Sequence, residues 1–562
     1  MKKIIECVPN FSEGRDMNVI KQITDEVEKI EGVKLLDVDP GQATNRTVVT
    51  FVGEPEQVLE AAFQAIKKAS QLIDMRTHHG AHPRFGATDV CPLIPVAGIT
   101  MEETVEYART LAKRVGEELG IAVYCYESAA FDPRRRNLAY CRAGEYEGLK
   151  DKLSTPDGKP DFGPVEFNAT AGATAIGARD FLVAINYNLN TTSTRRANAI
   201  AFDVREKGRP QREGGKVTGK PVKDEKGNTV MIPGTLKATK AIGWFIEEYG
   251  IAQVSMNITN ISTTPVHVAY EEVFAKAAAR GVRVTGAEIV GLVPKKCLID
   301  AGKYYLAKQE RSLGVDEAEI IKIAVKSMGL DDLKPFKPEE KIIEYVMEAD
   351  NKEKKLVDMT CTGFANETAS ESPAPGGGSI SAYMGALAAA LGTMVANLSS
   401  HKPGWDERWE EFSKWAEQGQ VLKDELLHLV DEDTNAFNKI MNAFGLPKKT
   451  DEEKAARTAA IQDATKYAIE VPFRTMKKSF ETFGIVKAMV EIGNPNSVTD
   501  AAVGALCARS AVMGAWLNVR INASSLKDRD FADKVLAEAK QLAEQAMKTE
   551  AEILKMADEK IG

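Results

Sequence analysis

The chain has 562 residues, too many for one hydrophobic core, so several domains are expected. Apolar residues make up 44% and charged residues 27%, which excludes a disordered or fibrous protein and fits a soluble globular one. A net charge of −8 argues against nucleic acid as the main partner, because phosphate backbones are bound by basic surfaces.

Seven scattered cysteines form no CxxC pair and no paired framework. Free thiols of that kind fit a reducing cytoplasm, the expected location. The first residues, MKKIIECVPNFSEGR, lack a long apolar run, so no signal peptide is expected. The most apolar stretch, near 380–397, is rich in Ala and Gly and reads as a buried helix, so no membrane partner is expected.

In chain order, KIIECVPNF reads as a strand, MNVIKQITDEVEKI as a helix, and VKLLDVD and RTVVTFVG as two strands. EPEQVLEAAFQAIKKASQLI is a second helix and TDVCPLIPV a further strand. A third helix starts at Thr100, with Glu103 three positions on completing a capping box. This βαββαβ order predicts a ferredoxin-like, split-βαβ sheet with helices on one face. A second α/β unit follows from ARDFLVAINYNL to VRVTGAEIVGLV. Inside it, residues 205–226 carry eight Lys or Arg against four acids and read as a loop or exposed hairpin. Two helices, near 297–308 and 315–328, lead to a polar linker. Beyond about residue 356 strand signals nearly vanish, and an all-α bundle is expected.

The segment HHGAHPRFGATDVCP, residues 78–92, holds three of the six histidines within five positions. His78 and His82 have an i, i+4 spacing that could hold zinc on a helix. Gly80 and Pro83 break such a helix, and neither a nearby Cys nor the Glu of a zinc motif is present, so no metal is expected. A plain turn-capping role remains open. Against it, Asn10 and Asp39 both sit where predicted strands end, the usual gathering place of functional groups in α/β sheets. A histidine beside a carboxylate there could act as a general base near neutral pH.

Further on, three glycines in SPAPGGGS precede a long helix of small residues. The Lys-Ser/Thr of a phosphate loop is absent. Either the loop lets helices pack closely, or helix-start amides meet a polar part of a ligand. Asp431, Glu432 and Asp433 could be a solvated acidic face. However, Leu426, Val430, Asp433 and Phe437 follow i, i+4, i+7, i+11 spacing, which puts Asp433 on the apolar stripe. A desolvated carboxylate there should have a raised pKa, useful in proton transfer. Asp500, Asn518 and Asn522 read either as interhelical hydrogen-bonders or as ligand contacts.

VPNFSEGR, LLDVDPGQATNRTVVTFVG, HHGAHPRFGATDVCPLIPV, GPVEFNATAGATAIGARDFLVAINYNL and EIVGLVPKKCLIDA resemble the transferase half of the formimidoyltransferase-cyclodeaminase family. SPAPGGGS, DEDTNAF…LPKK and SVTDAAVGALCARSAVMGAWLNVRIN resemble its cyclodeaminase half. The resemblance implies two ferredoxin-like transferase subdomains (1–178 and 179–330), a linker (331–355) and an all-α cyclodeaminase domain (356–562). It implies transfer of a formimidoyl group from N-formimidoyl-L-glutamate to N5 of tetrahydrofolate. Ring closure to 5,10-methenyl-tetrahydrofolate would follow, with release of ammonia. His82 matches the family's catalytic histidine, with Asp39 as its orienting or proton-relaying partner, and Asp433 matches the cyclodeaminase aspartate, with Asp431 as runner-up. Asn10 and the stretch Gly163, Pro164, Val165, Glu166, Phe167, Asn168, Ala169, Thr170, Ala171 and Gly172 would bind folate, expected in polyglutamylated form. A homo-oligomer is also implied. Two other readings are a folate-binding scaffold with decayed catalysis and an enzyme with one vestigial half; the intact motifs favour neither.

Overall fold

The computed structural model describes residues 3–41, 45–80, 84–215, 219–349 and 355–562. They fall into two compact units, Met1–Cys297 with Met328–Asn351, and Leu298–Ser327 with Lys352–Gly562.

In the first unit the opening strand is split into β1 (Ile4–Cys7) and β2 (Asn10–Phe11). Pro9, between them, has no N–H to give to a ladder. There follow α1 (Met17–Glu28), β3 (Val33–Gly41), β4 (Arg46–Gly53), α2 (Pro55–Leu72) and β5 (Thr88–Ala97). Local chemistry starts each helix. Asp16 caps α1 through the N–H of Asn18, and Pro55 occupies the first turn of α2. The strands run β3-β4-β1/β2-β5, the order expected of a split βαβ sheet. Helix α3 (Met101–Leu119), opened by the Thr100–Glu103 capping box, then leads to β6 (Ala122–Glu127). After two short helices, α4 (Leu138–Cys141) and α5 (Leu149–Leu153), comes β7 (Ala173–Ala178), which inserts parallel between β5 and β6.

Strands β6 and β7 are absent from the predicted elements, and the reason is burial on both faces. Val123 and Cys125 pack into the helix-side core, while Ala122, Tyr124 and Tyr126 pack into a second cluster on the other side. No polar alternation survives to mark them.

The second α/β subdomain contains β8 (Val183–Leu189), α6 (Thr194–Val204), β9 (Arg209–Pro210), β10 (Met231–Ile232), β11 (Thr239–Ile246), β12 (Ile251–Ile258), α7 (Val266–Ala278) and β13 (Val284–Val290). Its antiparallel order, β11-β12-β8-β13, repeats the split βαβ plan. Of the two alternatives expected for residues 205–226, a loop or a hairpin, the structure has a hairpin, with β9 paired to β10 just beyond that segment. Strand β11 is a further element missing from the sequence reading; it is an edge strand with Ile242, Trp244 and Phe245 exposed. Helices α8 (Lys295–Lys308) and α9 (Glu317–Met328) lie where two helices are expected. Within the segment expected to be a linker, α10 (Pro338–Lys341) and α11 (Ile343–Ala349) dock on the first unit. There Val293 pairs with Ile342, and Ile342 and Ile343 are fully buried.

The second unit contains the expected helical bundle. Its helices are α12 (Cys361–Thr368), α13 (Gly377–Ser400), α14 (Trp409–Gly445), α15 (Asp451–Ile492), α16 (Val498–Ala523) and α17 (Arg529–Ile561). Helix α13 packs against α14, α15 and α16. Small residues allow the approach: a Cβ on Gly419 would lie 2.0 Å from Thr393 Oγ1, and one on Gly514 2.3 Å from Ser381 Oγ. By length and composition α13 and α16 could each cross a membrane, but 61% of the apolar window of α13 is buried inside the protein. It is a core helix.

Candidate active site

In the first unit the site is built on the sheet face opposite the helices. Asn10 faces Val90 of β5 on one side and Val48 of β4 on the other, and Val48 in turn faces Asp39 of β3. Directly opposed residues share a face, so Asp39 and Asn10 stand in one row, two strand spacings or roughly 10 Å apart. Asp39 is exposed; Asn10 is buried, and its Nδ2 donates to Val8 O at 2.9 Å.

Asn45 joins three of the segments that the sequence singles out. Its Oδ1 accepts from Gly14 N at 3.0 Å, its Nδ2 donates to His79 O at 3.0 Å, and its carbonyl accepts from His78 Nε2 at 2.7 Å. The backbone there is left-handed, φ 50°, a conformation Asn tolerates better than most residues. Because a carbonyl only accepts, the His78 proton sits on Nε2. Burial lowers the His78 pKa, and Nδ1 is buried without a partner among the described residues. Through that hydrogen bond His78 holds the loop. His82 lies outside the described residues.

The 163–172 segment is fastened beside that loop. Thr170 O accepts from Met75 N at 2.9 Å and Ala169 O from the Tyr146 hydroxyl at 2.5 Å. Arg84 links the same parts: it donates to Met75 O and His78 O, and its guanidinium lies over the Tyr146 ring. Gly172, at φ +67°, could not carry a side chain, because a Cβ there would lie 2.5 Å from Phe85 O.

A cleft of about 790 Å³ opens beside Asn10, lined also by Arg46, Arg142, Arg179, Tyr126, Glu127, Asp180 and, from the second subdomain, Lys240 and Asn260. Asp39 and the 163–172 segment are not among its lining residues. Four basic side chains and two acidic ones line it, and two of the basic ones, Arg46 and Arg142, lie against the buried carboxylate of Asp89. Sequence reasoning missed these cations. Arg46 stands inside a quoted motif and Arg179 at the end of β7, so strand-end position was the available signal; Arg142 offers none. Behind the cleft, burial pushes the Glu6 carboxyl up to about 7, opposed by the charge of Arg179. Among the described residues no group of three or more His, Cys, Asp or Glu is placed to hold a metal ion.

The second unit presents Asp433 on α14 to the start of α13. Its carboxylate accepts the backbone N–H of Ser379, and Ser379 Oγ lies 3.4 Å from Oδ2. Burial raises the Asp433 pKa, while those two hydrogen bonds pull it down. The N-terminus of a 24-residue helix also favours the anion. A carboxyl with such opposed influences can both accept and return a proton. The neighbouring acids have other duties. Asp431 Oδ1 accepts from Leu356 N at 2.6 Å, and Glu432 accepts from the Tyr467 hydroxyl. Asn518 stands near the glycine turn, 3.6 Å from where a Cβ on Gly377 would lie. Asn522 bridges helices by donating to Ala468 O at 2.7 Å, whereas Asp500 sits in the first turn of α16.

One part of the helical-wheel expectation is corrected. Leu426 and Val430 are fully buried, but Phe437 is 41% exposed and Ala436 is buried instead. From Asp433, steps of three and four residues fall on opposite sides of the stripe at 100° per residue. The bundle covers the side of Ala436 and Ala443, leaving Phe437, Met441 and Phe444 outward.

Comparison with known proteins assigns residues 298–327, which pack with the second unit, to the same match as the second α/β subdomain. The family described as formiminotransferase domain, N-terminal subdomain, matches residues 4–179, and the formiminotransferase domain matches 184–348. The family described as formiminotransferase-cyclodeaminase matches 360–541. The chain is 41% identical over 560 residues to a formimidoyltransferase-cyclodeaminase of Gallus gallus, covering 100% of both proteins. It is 42% identical to a glutamate formimidoyltransferase of Streptococcus pyogenes serotype M1, over 55% of this chain and 95% of that protein. It is 40% identical to a methenyltetrahydrofolate cyclohydrolase of Methylorubrum extorquens, over 33% of this chain and 90% of that protein. With both transferase subdomains and the helical domain matched end to end, the chain belongs to the formimidoyltransferase-cyclodeaminase family.

Proposed function

We propose that this protein is a bifunctional, folate-dependent enzyme of histidine degradation. It moves the formimidoyl group of N-formimidoyl-L-glutamate to N5 of tetrahydrofolate, then closes the product to 5,10-methenyl-tetrahydrofolate with loss of ammonia. The observation that carries this reading is identity along the whole chain to a protein named for both activities.

In the transfer step N5 attacks the amidine carbon and must lose a proton, while the departing glutamate nitrogen must gain one. His82 takes the first proton and delivers the second. Asp39, in the row of Asn10, steadies the imidazolium between those events, and the 163–172 segment with Asn10 receives folate. In the closure step N10 attacks the formimidoyl carbon, and the amidine nitrogen leaves as ammonia once protonated. Asp433 accepts the N10 proton and returns it to the leaving nitrogen.

Finer parts of the reading rest on less. Exposed Val503, Leu506, Leu517 and Ile521 share one side of α16, an apolar stripe of the kind that a homo-oligomer covers. The folate is taken as polyglutamylated and steered by the basic hairpin. Arg205, Arg209 and Arg212 are already bonded to Gly208, Ala199 and Gly219 carbonyls, which leaves, among the described residues, Lys207, Lys220, Lys223 and Lys226 for that task. Cytoplasmic location follows the scattered cysteines. Mixing the protein with tetrahydrofolate and N-formimidoyl-L-glutamate tests the whole reading: methenyl-folate absorbance and ammonia should both appear. A second reading, favoured by the cyclohydrolase relative, is hydrolysis of the methenyl bridge. It predicts consumption of supplied methenyl-tetrahydrofolate without ammonia.

A further inference from the structure

Two consecutive glycines at the start of α13 differ in what fills the space beside them. At Gly378 the carboxyl of Asp433 takes the place of a side chain, as a Cβ there would lie 2.1 Å from its Oδ1. At Gly377 a Cβ would meet only the Asn518 amide among the described residues, 3.6 Å from Nδ2 and 4.0 Å from Oδ1, which is ordinary contact. The Gly377 backbone is not left-handed either, so neither strain nor crowding calls for glycine there. What glycine leaves at 377 is room: a notch beside the Asp433 carboxyl, bordered by Asn518 of α16.

Asn518 is held with a fixed polarity. Its Nδ2 donates to Gly514 O at 2.9 Å, and a carbonyl only accepts, so the amide cannot turn over without setting oxygen against oxygen. The mount is close-fitting. A Cβ on Gly514 would lie 2.3 Å from Ser381 Oγ, and that hydroxyl donates to Gly377 O at 2.6 Å, tying α16 to the glycine turn. Asn518 is half-buried, and its Oδ1 accepts no hydrogen bond among the described residues. Both polar atoms of the amide border the notch, so it presents one acceptor and one remaining N–H there. Asn522, one turn further on, instead spends its amide on Ala468 O of α15.

We propose that Asn518 reads the lactam edge of the pterin ring during ring closure, with Oδ1 accepting from N3–H and Nδ2 donating to the C4 carbonyl. This rests on the ring-closing activity and the Asp433 role proposed above. The substrate's connectivity supplies the spacing. N5, which carries the formimidoyl group, is bonded to the ring-fusion carbon that also bears C4, so the lactam edge lies beside the reacting group. Gly377 and Gly378 are consecutive, with Cα atoms about 3.8 Å apart, so the amide likewise lies beside the Asp433 carboxyl. A 4-amino pterin reverses the pattern of that edge: N3 becomes an acceptor and the group on C4 a donor. A freely turning amide would fit either ring, whereas one locked by Gly514 fits only the 4-oxo ring. Asn518 is thus a specificity residue and carries no proton.

The test is inhibition of ring closure in the full-length protein by 5-formyl-tetrahydrofolate and by its 4-amino analogue, with 5-formimidoyl-tetrahydrofolate as substrate. Wild type should bind the 4-oxo inhibitor about tenfold or more tightly than the 4-amino one, the scale of one or two hydrogen bonds made rather than left unmade. In Asn518→Leu, which keeps the bulk, that ratio should collapse toward unity, and KM for the substrate should rise about tenfold. Gly377→Ala narrows the notch and leaves Asn518 in place. It should also raise KM, with thermal unfolding no lower than in wild type, because alanine favours a helix over glycine. A purely structural Asn518 would change stability but leave the inhibitor ratio as it is. If wild type closes the ring without discriminating between the inhibitors, or folded Asn518→Leu discriminates as wild type does, the proposal is refuted and the ring-closing reading stands. Should Asn518→Leu fail to fold, Gly377→Ala decides: a raised KM upholds the proposal and an unchanged one refutes it. Absence of closure in wild type overturns both.

Discussion

The carboxyl of Asp433 occupies the space where a side chain on Gly378 would go: a Cβ there would lie 2.1 Å from Oδ1 and 2.5 Å from Oδ2. Glycine at this position lets the carboxyl settle against the first turn of α13 and accept the Ser379 N–H. Gly378→Ala should therefore displace the carboxyl and slow ring closure at least tenfold, while formimidoyl transfer continues. Closure at the wild-type rate would show that the reaction does not need the carboxyl in that place.

Asp433→Asn keeps the size and an acceptor for Ser379 but removes the titrating proton. Ring closure should fall by about 100-fold or more, the scale of a lost general acid–base group, and 5-formimidoyl-tetrahydrofolate should accumulate. Asp431→Asn should be mild, because Asn still offers an oxygen to the Leu356 N–H that Asp431 holds. Chromatography of the folate products separates the two outcomes, and the opposite ranking would transfer the role to Asp431.

His82→Ala should lower transfer by about 100-fold or more and leave closure of supplied 5-formimidoyl-tetrahydrofolate intact. Near-normal transfer by this variant, combined with loss of wild-type transfer on chelation, would instead establish a metal reaction.

Glu6 gives a pH prediction. Burial raises its pKa from 4.5 to about 7, so the folded state holds the proton more tightly than the unfolded chain does. The stability this contributes is complete below the unfolded pKa and is lost as pH rises through about 7. A shift of that size corresponds to a few kcal/mol, at about 1.4 kcal/mol per unit. Glu6→Gln should hence unfold at higher denaturant concentration than wild type at pH 8 and show no such gain at pH 4. An equal gain at both values would exclude titration of Glu6 as the cause.

A tail held on the basic hairpin would stay tethered while the pterin changes sites, which raises its effective concentration. Long-tailed folate should give methenyl product without a lag, and monoglutamyl folate with one. Replacing Lys207, Lys220, Lys223 and Lys226 together by Gln should restore the lag. Equal lags for both tails in wild type would dismiss the tether.

What could be seen in the sequence is what neighbouring residues in the chain decide. The Thr100–Glu103 capping box, the βαββαβ order of the first sheet and the loss of strand signals after residue 356 all depend on spacings of a few residues. Asp433 could be picked out from its neighbours because helical periodicity sets it in line with Leu426 and Val430, both buried. Periodicity stops being informative where both faces are covered, as in β6 and β7, and where a helix outruns its neighbours, as at Phe437.

The cleft was decided only in three dimensions. Arg46, Asp89 and Arg142 are separated by more than forty residues at each step and meet because a bulge in β5 turns Asp89 toward both arginines. Asn45 ties together residues 14, 78 and 79 through one side-chain amide and one carbonyl. Caps, turns and amphipathic stripes are local agreements between residues a few positions apart, and the sequence by itself determined these. Register, bulges and convergent charge depend on which strand lies beside which, and that is settled only when the whole sheet buries its core.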